Sequence, residues 1–348
     1  MNAPRNILIV RLSAIGDVIL ASGLIPALRR AYPHARLSWM TEEANVPLLV
    51  HNPRLDRVIA WPRRHWRQLR ERGQYRQWLG ESRSLIGSLR AEHYDLVLDL
   101  QGLLKSGVWA WLSGGAVRVG LGSREGSQWL MTRVVDRRCD SPKIGKEYRK
   151  LAEALGLDAG DFAMDIVPGP EDEKQAGDLL KAHAGAGSYA VIAPFTTRPQ
   201  KHWFDERWVE LAGRLRDDLG LTVLMLGGPG DKEHAAAIAS QVPGLVNLAG
   251  HTGLGQCAAI VEKAALAIGV DTGLTHLGIA MKTPTLALFG STRPYLDTGV
   301  ANAKVLYEAM DCSPCRRRPT CHGEFHCMKS HTVERVLHEA KLLLEAGS

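Results

Sequence analysis

Nowhere in the 348 residues do about 18 apolar side chains run uninterrupted, so no membrane-spanning helix is expected. The N-terminus carries no secretory signal pattern: the short apolar run Ile7-Leu8-Ile9-Val10 gives way to Arg11 and then Asp17, too short and too soon polar. A cytoplasmic protein is expected. No internal repeat and no long low-complexity tract is found. Cysteine is scarce, with six residues, and four of them stand close together at Cys312, Cys315, Cys321 and Cys327. The isolated Cys139 and Cys257 read as small buried apolar residues. Lysine is absent from residues 54–90, which hold ten Arg against three acids, Asp56, Glu71 and Glu81. That window is +7 in a chain of net +6, so the remainder is −1. A charge excess so placed suggests either an anionic partner met by one surface or a solvated helix face.

Hydrophobic residues make up 45% and charged residues 23% of the chain, a soluble globular balance, and the length suits two domains. Strand-like runs at 6–11, 36–41, 57–61, 96–100 and 117–121 alternate with helical patterns, among them 18–31 and the Arg-rich 64–90, read as helical in pieces. Residues 165–175, with two Pro, a Gly and an acid run, read as an interdomain linker. The alternation then restarts. Strands fit 190–195, 222–227, 245–248, 266–270 and 284–289; helices fit 171–183, 205–219, 231–241, 255–264 and 273–281. Residues 331–346 form an amphipathic helical pattern. The fold class predicted is α/β, two Rossmann-like doubly wound domains facing across a cleft: residues 1–168, residues 169–330, and a C-terminal helix in 331–348.

Ligands of such sheets bind beyond the strands' carboxyl ends, and four loops lie there. Arg11 to Asp17 follows the first strand; its glycine spacing is not G-x-G-x-x-G, so a dinucleotide fingerprint is absent. Asp17 there is either a helix N-cap or a general base. Thr196 to Trp203 offers two hydroxyls, Thr196 and Thr197, and Lys201 to phosphate oxygens, or is a plain polar loop. Leu226 to Asp231 holds Gly228, where backbone approaches a ligand or simply turns. Val270 to Gly278, followed by Phe289 to Thr292, combines Asp271, Thr272 and Gly273 at a helix start with His276. Free N–H groups there suit a diphosphate.

The motif set resembles glycosyltransferase family 9, the ADP-heptose heptosyltransferases of lipopolysaccharide core assembly. The resemblance rests on R-L-S-A-I-G-D at 11–17, D-L-Q-G-L-L-K-S at 99–106, T-T-R-x-x-K-H-W at 196–203 and D-T-G-L-T-H-L at 271–277. It implies a GT-B fold, inversion at the anomeric centre, and no catalytic metal. Asp17 resembles the family's base and Lys201 its diphosphate-contacting lysine. Thr196, Thr197, Gly228, Asp271, Thr272, Gly273 and His276 look like the donor-binding set. Arg63, Arg64 and Arg67, with Gln101 and Lys105 of the second motif, look like the acceptor-binding set, most similar to the type I enzymes that add heptose to the Kdo of Kdo–lipid A. The third loop departs from the family pattern, since only Asp231 or Glu233 stands where an acid would hold the donor ribose. The cysteine cluster resembles some type II-like and unassigned members more than type I.

The partners implied are ADP-heptose, an inner-core lipopolysaccharide acceptor and peripheral contact with the cytoplasmic face of the inner membrane, with no nucleic acid. Two other classes fit less of the sequence: a GT-B-type sugar-nucleotide epimerase or hydrolase, and a nucleic-acid binder using the Arg-rich window. The C-x2-C-x5-C-x5-C spacing of Cys312, Cys315, Cys321 and Cys327 suits a structural zinc or reduced thiols in an ordinary loop.

Overall fold

The computed structural model describes residues 3–185, 187–315 and 318–346. The chain forms two compact units, Met1–Asp140 with Gly145–Val167 and Ser141–Ile144 with Pro168–Ser348. In the first, β1 (Asn6–Val10), β2 (Arg36–Glu42), β3 (Arg57–Trp61), β4 (Leu96–Asp99), β5 (Val117–Leu121) and β6 (Arg133–Val135) build one sheet. Its order is β3-β2-β1-β4-β5-β6, and every pairing is parallel. The centre is apolar along its length because helices cover both faces of such a sheet: Ile7, Leu8, Ile9 and Val10 have no exposed surface. Ile9 stands between Trp39 of β2 and Leu98 of β4 in register.

The second unit repeats the plan. Strands β7 (Tyr189–Ala193), β8 (Thr222–Met225), β9 (Val246–Asn247), β10 (Leu266–Val270), β11 (Thr285–Phe289) and β12 (Ala303–Tyr307) run in the order β12-β11-β10-β7-β8-β9. All of these pairings are parallel too. The core holds Trp203 against Trp208, rings edge-on at 5.0 Å. The Val333–Ala346 helix buries Val333, Val336, Leu337, Ala340 and Leu343 in this same core.

Several local readings change. The 18–31 pattern is two helices, Ile15–Ala21 and Leu24–Ala31. A Cβ on Gly23 would stand 2.6 Å from the Phe162 ring, which closes against the break. The Arg-rich stretch is helical in pieces, as the sequence suggested: the Arg63–Glu71 and Tyr75–Arg90 helices part at Gly73, with φ +72°. The linker read at 165–175 is much shorter. A helix begins at Pro170, with Pro in its first turn beside Glu171, Asp172 and Glu173. Proline is preorganised for that position, and the acids face the positive end of the helix dipole. Strands β6 and β12 were not predicted; Arg133 and Val134 are exposed and β12 is mostly half-buried.

Candidate active site

In both sheets the strand order reverses direction once, between β1 and β4 in the first unit and between β7 and β10 in the second. Ligands bind beyond the carboxyl ends at such a switch point. The loops there are the four motifs: 11–17 after β1, 99–106 after β4, 196–203 after β7 and 271–277 after β10.

Around the first switch point the two loops are tied to each other. Gln101 Oε1 accepts from the Leu12 N–H at 3.1 Å, and Lys105 Nζ donates to Ser13 Oγ at 3.0 Å. Asp99, fully buried at the end of β4, accepts the N–H groups of Gln101 and Gly102 at 3.0 and 3.1 Å. Burial pushes its carboxyl up, against these hydrogen bonds. Gly102 has φ +67°, and a Cβ there would lie 2.5 Å from the Leu121 carbonyl, so no other residue fits.

Asp17 is not the N-cap; Ala14 is. Asp17 sits in the first turn of the Ile15–Ala21 helix and reaches back to accept the Ala14 N–H at 3.3 Å. Its carboxylate is 44% exposed and pairs with the Arg11 guanidinium, which is 4% exposed. Arg11 is held in turn by the Leu100 carbonyl at 2.9 Å. A carboxylate oriented by a buried cation, with an open face, is placed to take a proton from a hydroxyl. Nearby, Lys105 and Arg63 converge on one carboxylate, Glu42 at the end of β2, at 3.4 and 3.0 Å. Two cations on one anion leave a local positive excess. Arg63 also lies over the Trp61 ring at 5.9 Å.

The second switch point gathers Lys201, Asp271 and His276. Lys201 Nζ pairs with Asp271 Oδ2 at 2.6 Å and donates to the Asp271 carbonyl at 3.1 Å. Thr292 donates to the same carboxylate oxygen at 2.5 Å. His276 Nε2 lies 3.5 Å from Asp271 Oδ1, and His276 Nδ1 lies 2.6 Å from the Tyr295 hydroxyl. Burial raises the Tyr295 phenol well above its ordinary range. Burial works to raise the Asp271 carboxyl, but His276 and Lys201 overcome it and hold it well below the usual range. Thr272 is the N-cap of the Gly273–Ala280 helix, with φ −142°. The first-turn N–H groups of that helix have no intrahelical acceptor.

The remaining predicted residues stand less closely. Thr196 is half-buried and accepts the His202 ring through its carbonyl at 2.7 Å; Thr197 is exposed. Gly228 is exposed, its N–H held by Asp231 at 2.7 Å, which ties Asp231 to its own turn. Arg64 is exposed beside Arg63. Arg67 pairs at 2.8 Å with Glu71 on its own helix and stands outside the Glu42 cluster. Cys312, Cys315, Cys321 and Cys327 are neighbours: burial and the adjoining thiols push up Cys315 and Cys327. Among the described residues, however, no group of three or more His, Cys, Asp or Glu is arranged to hold a metal ion. The thiols do not form a ready-made cage. The sequence reading missed Arg11, Glu42 and Tyr295. Glu42 could have been found from its place at a strand's carboxyl end.

The model of glycosyltransferase family 9 (heptosyltransferase) matches residues 82–326. The chain is 32% identical over 329 residues to lipopolysaccharide heptosyltransferase 1 of Pseudomonas aeruginosa, covering 91% of this chain and 87% of that protein. Among solved structures, E. coli heptosyltransferase WaaC with ADP-2-deoxy-2-fluoro heptose superposes with a TM-score of 0.70 at 26% identity, over 99% of this chain and 100% of that one. A family 9 glycosyltransferase from Veillonella parvula superposes with a TM-score of 0.81 at 23% identity, over 98% and 97%. The two doubly wound domains are thus those of a GT-B fold, and the chain belongs to glycosyltransferase family 9, the heptosyltransferases.

Proposed function

We propose that the protein transfers heptose from ADP-heptose to the Kdo of Kdo–lipid A, at the cytoplasmic face of the inner membrane, with inversion and without a catalytic metal. The observation that carries this reading is the pair of switch points. One presents an oriented carboxylate, Asp17, and the other a cation at a helix N-terminus, Lys201 with Thr272 and Gly273. An acceptor hydroxyl oxygen attacks the anomeric carbon, its proton passes to Asp17, and the bond to the β-phosphate oxygen breaks with its electron pair leaving on ADP. Lys201, Thr272 and the helix N–H groups stabilise charge that grows on the departing diphosphate. His276, fixed by Tyr295, lines the same place. The Arg63, Arg64 and Lys105 cluster, with Gln101, orients the acceptor's carboxylates or phosphates, and Arg67 adds charge one turn on. The type I acceptor is favoured by the 32% identity to a type 1 enzyme over most of both chains.

Purified protein given ADP-heptose and Kdo–lipid A should yield a product heavier by one heptose. Free heptose or an epimerised sugar nucleotide in its place would sink the reading. Structural zinc on Cys312, Cys315, Cys321 and Cys327 is a separate proposal. It rests on spacing alone, an ion would have to draw the thiols together, and no step of the transfer passes through it. Elemental analysis of protein purified without chelator decides it, and absence of stoichiometric metal removes it.

A further inference from the structure

Among the described residues no helix is long and apolar enough to cross a membrane, yet the first unit leaves bulky apolar side chains in water. On the Leu104–Leu112 helix, Leu104 is 46%, Val108 36% and Trp111 49% exposed. They recur at spacings of four and three, which places them on one stripe. The short Ser127–Leu130 turn packs beside that stripe, where a Cβ on Gly107 would touch the Ser127 Cβ at 2.7 Å. From the turn, Trp129 projects 84% exposed. Trp129 and Leu104 lie together: a Cβ on Gly126 would be 3.6 Å from one and 3.9 Å from the other. A clustered patch of this kind is unusual on a protein that meets only water.

Its rim is basic. Arg118 anchors to the Leu130 carbonyl at 2.8 Å, Arg90 to the Leu112 carbonyl at 3.1 Å, and Arg124 is 67% exposed beside the turn. Glu125 is the acid there, 4.0 Å from Arg124. Beside the ridge stand the helices of the +7 window; Trp66 of the first meets Trp109 of the ridge helix at 5.9 Å. Apolar tips with an indole, ringed by arginine, match the boundary of an anionic bilayer. Tryptophan favours that interface, and arginine meets the negative surface potential.

We propose that the Leu104, Val108, Trp111 and Trp129 ridge docks the protein on anionic lipid bilayers. This rests on the reading of the acceptor as a membrane lipid. Vesicles of phosphatidylethanolamine with phosphatidylglycerol should co-sediment the wild type, and phosphatidylcholine vesicles much less. Trp129→Ala combined with Val108→Ser, both exposed positions, should keep the melting temperature and bind the anionic vesicles about ten-fold more weakly or worse. The same variant should turn over a delipidated, water-soluble Kdo acceptor within a few-fold of wild type. Undiminished vesicle binding by the variant, or none by the wild type, overturns the proposal. So does a wild type that is a dimer in solution while the variant is a monomer, since a second copy then covers the ridge. Failure of sugar transfer with every acceptor, with vesicle binding still lost in the variant, would fault the transferase reading and leave the docking face standing.

Discussion

In the proposed transfer, Asp17, paired with Arg11, is the proton acceptor. Asp17→Asn keeps the size of the side chain and its reach to the Ala14 N–H, but a neutral amide cannot take the acceptor's proton. Turnover at saturating donor and acceptor should fall by about 10²–10⁴-fold with ADP affinity near wild type, and the melting temperature should drop because the buried Arg11 loses its counter-charge. Activity within a few-fold would leave Asp17 a helix-turn residue only. Lys201→Ala tests the other unit. It removes a charge-assisted contact of the kind typically worth about 1.5–3 kcal/mol, so ADP should bind roughly 10–100-fold more weakly by calorimetry and turnover should drop as well. Unchanged ADP affinity in folded protein would show that the loop after β7 does not hold the diphosphate. Both residues were legible in the sequence, since each lies just past a strand in a doubly wound pattern. The contacts that Glu42 and Tyr295 make were not. Glu42 meets Lys105 and Arg63, and Tyr295 meets His276, only because the chain folds back, and no local spacing encodes those distances.

At the scale of elements, the Arg63–Glu71 helix presents its first-turn arginines where Glu42 already concentrates cations. Replacing Arg63 and Arg64 together with Ala should raise the acceptor KM several-fold and leave donor binding alone; equal losses for both substrates would count against an acceptor role. The junction before the Val333–Ala346 helix carries a pH dependence. His331 is fully buried, 2.8 Å from the Phe289 carbonyl through Nε2, while its own carbonyl accepts from Trp203 Nε1 at 2.9 Å. Burial pushes the His331 imidazole below its ordinary range, against the Phe289 hydrogen bond. With the folded pKa lowered, the unfolded chain takes up a proton here first. The stability this site contributes is therefore intact above pH of about 6.5 and erodes as pH falls below it. Melting temperatures between pH 7.5 and 5.5 should decline less steeply for His331→Gln than for wild type, and parallel slopes would refute the assignment. Which elements were foreseeable follows the same logic of burial. Runs such as β10 and β11, buried at every position, announce themselves. The half-exposed edge strands β6 and β12 do not. The break at Gly23 depends on Phe162, far along the chain, whereas the helix read at 171–183 is present and begins one residue earlier, at Pro170.

Across the whole molecule, one strand order is written twice, and every loop assigned a chemical role leaves a sheet by its carboxyl edge. The opposite edges have no such work. The turn between the Asp205–Asp217 helix and β8 is one example, where Gly220 takes φ +66° with open space around it. A short flexible insertion at Gly220 should express, fold and turn over within a few-fold of wild type, measured beside the same insertion at Gly102, which should abolish soluble protein or activity; equal harm at both would deny the distinction. Each half of the molecule therefore has a working side and an idle side. The idle sides are natural ports for a fluorophore, a purification handle or a surface tether, and they are where sequence can drift during evolution without the reaction registering it.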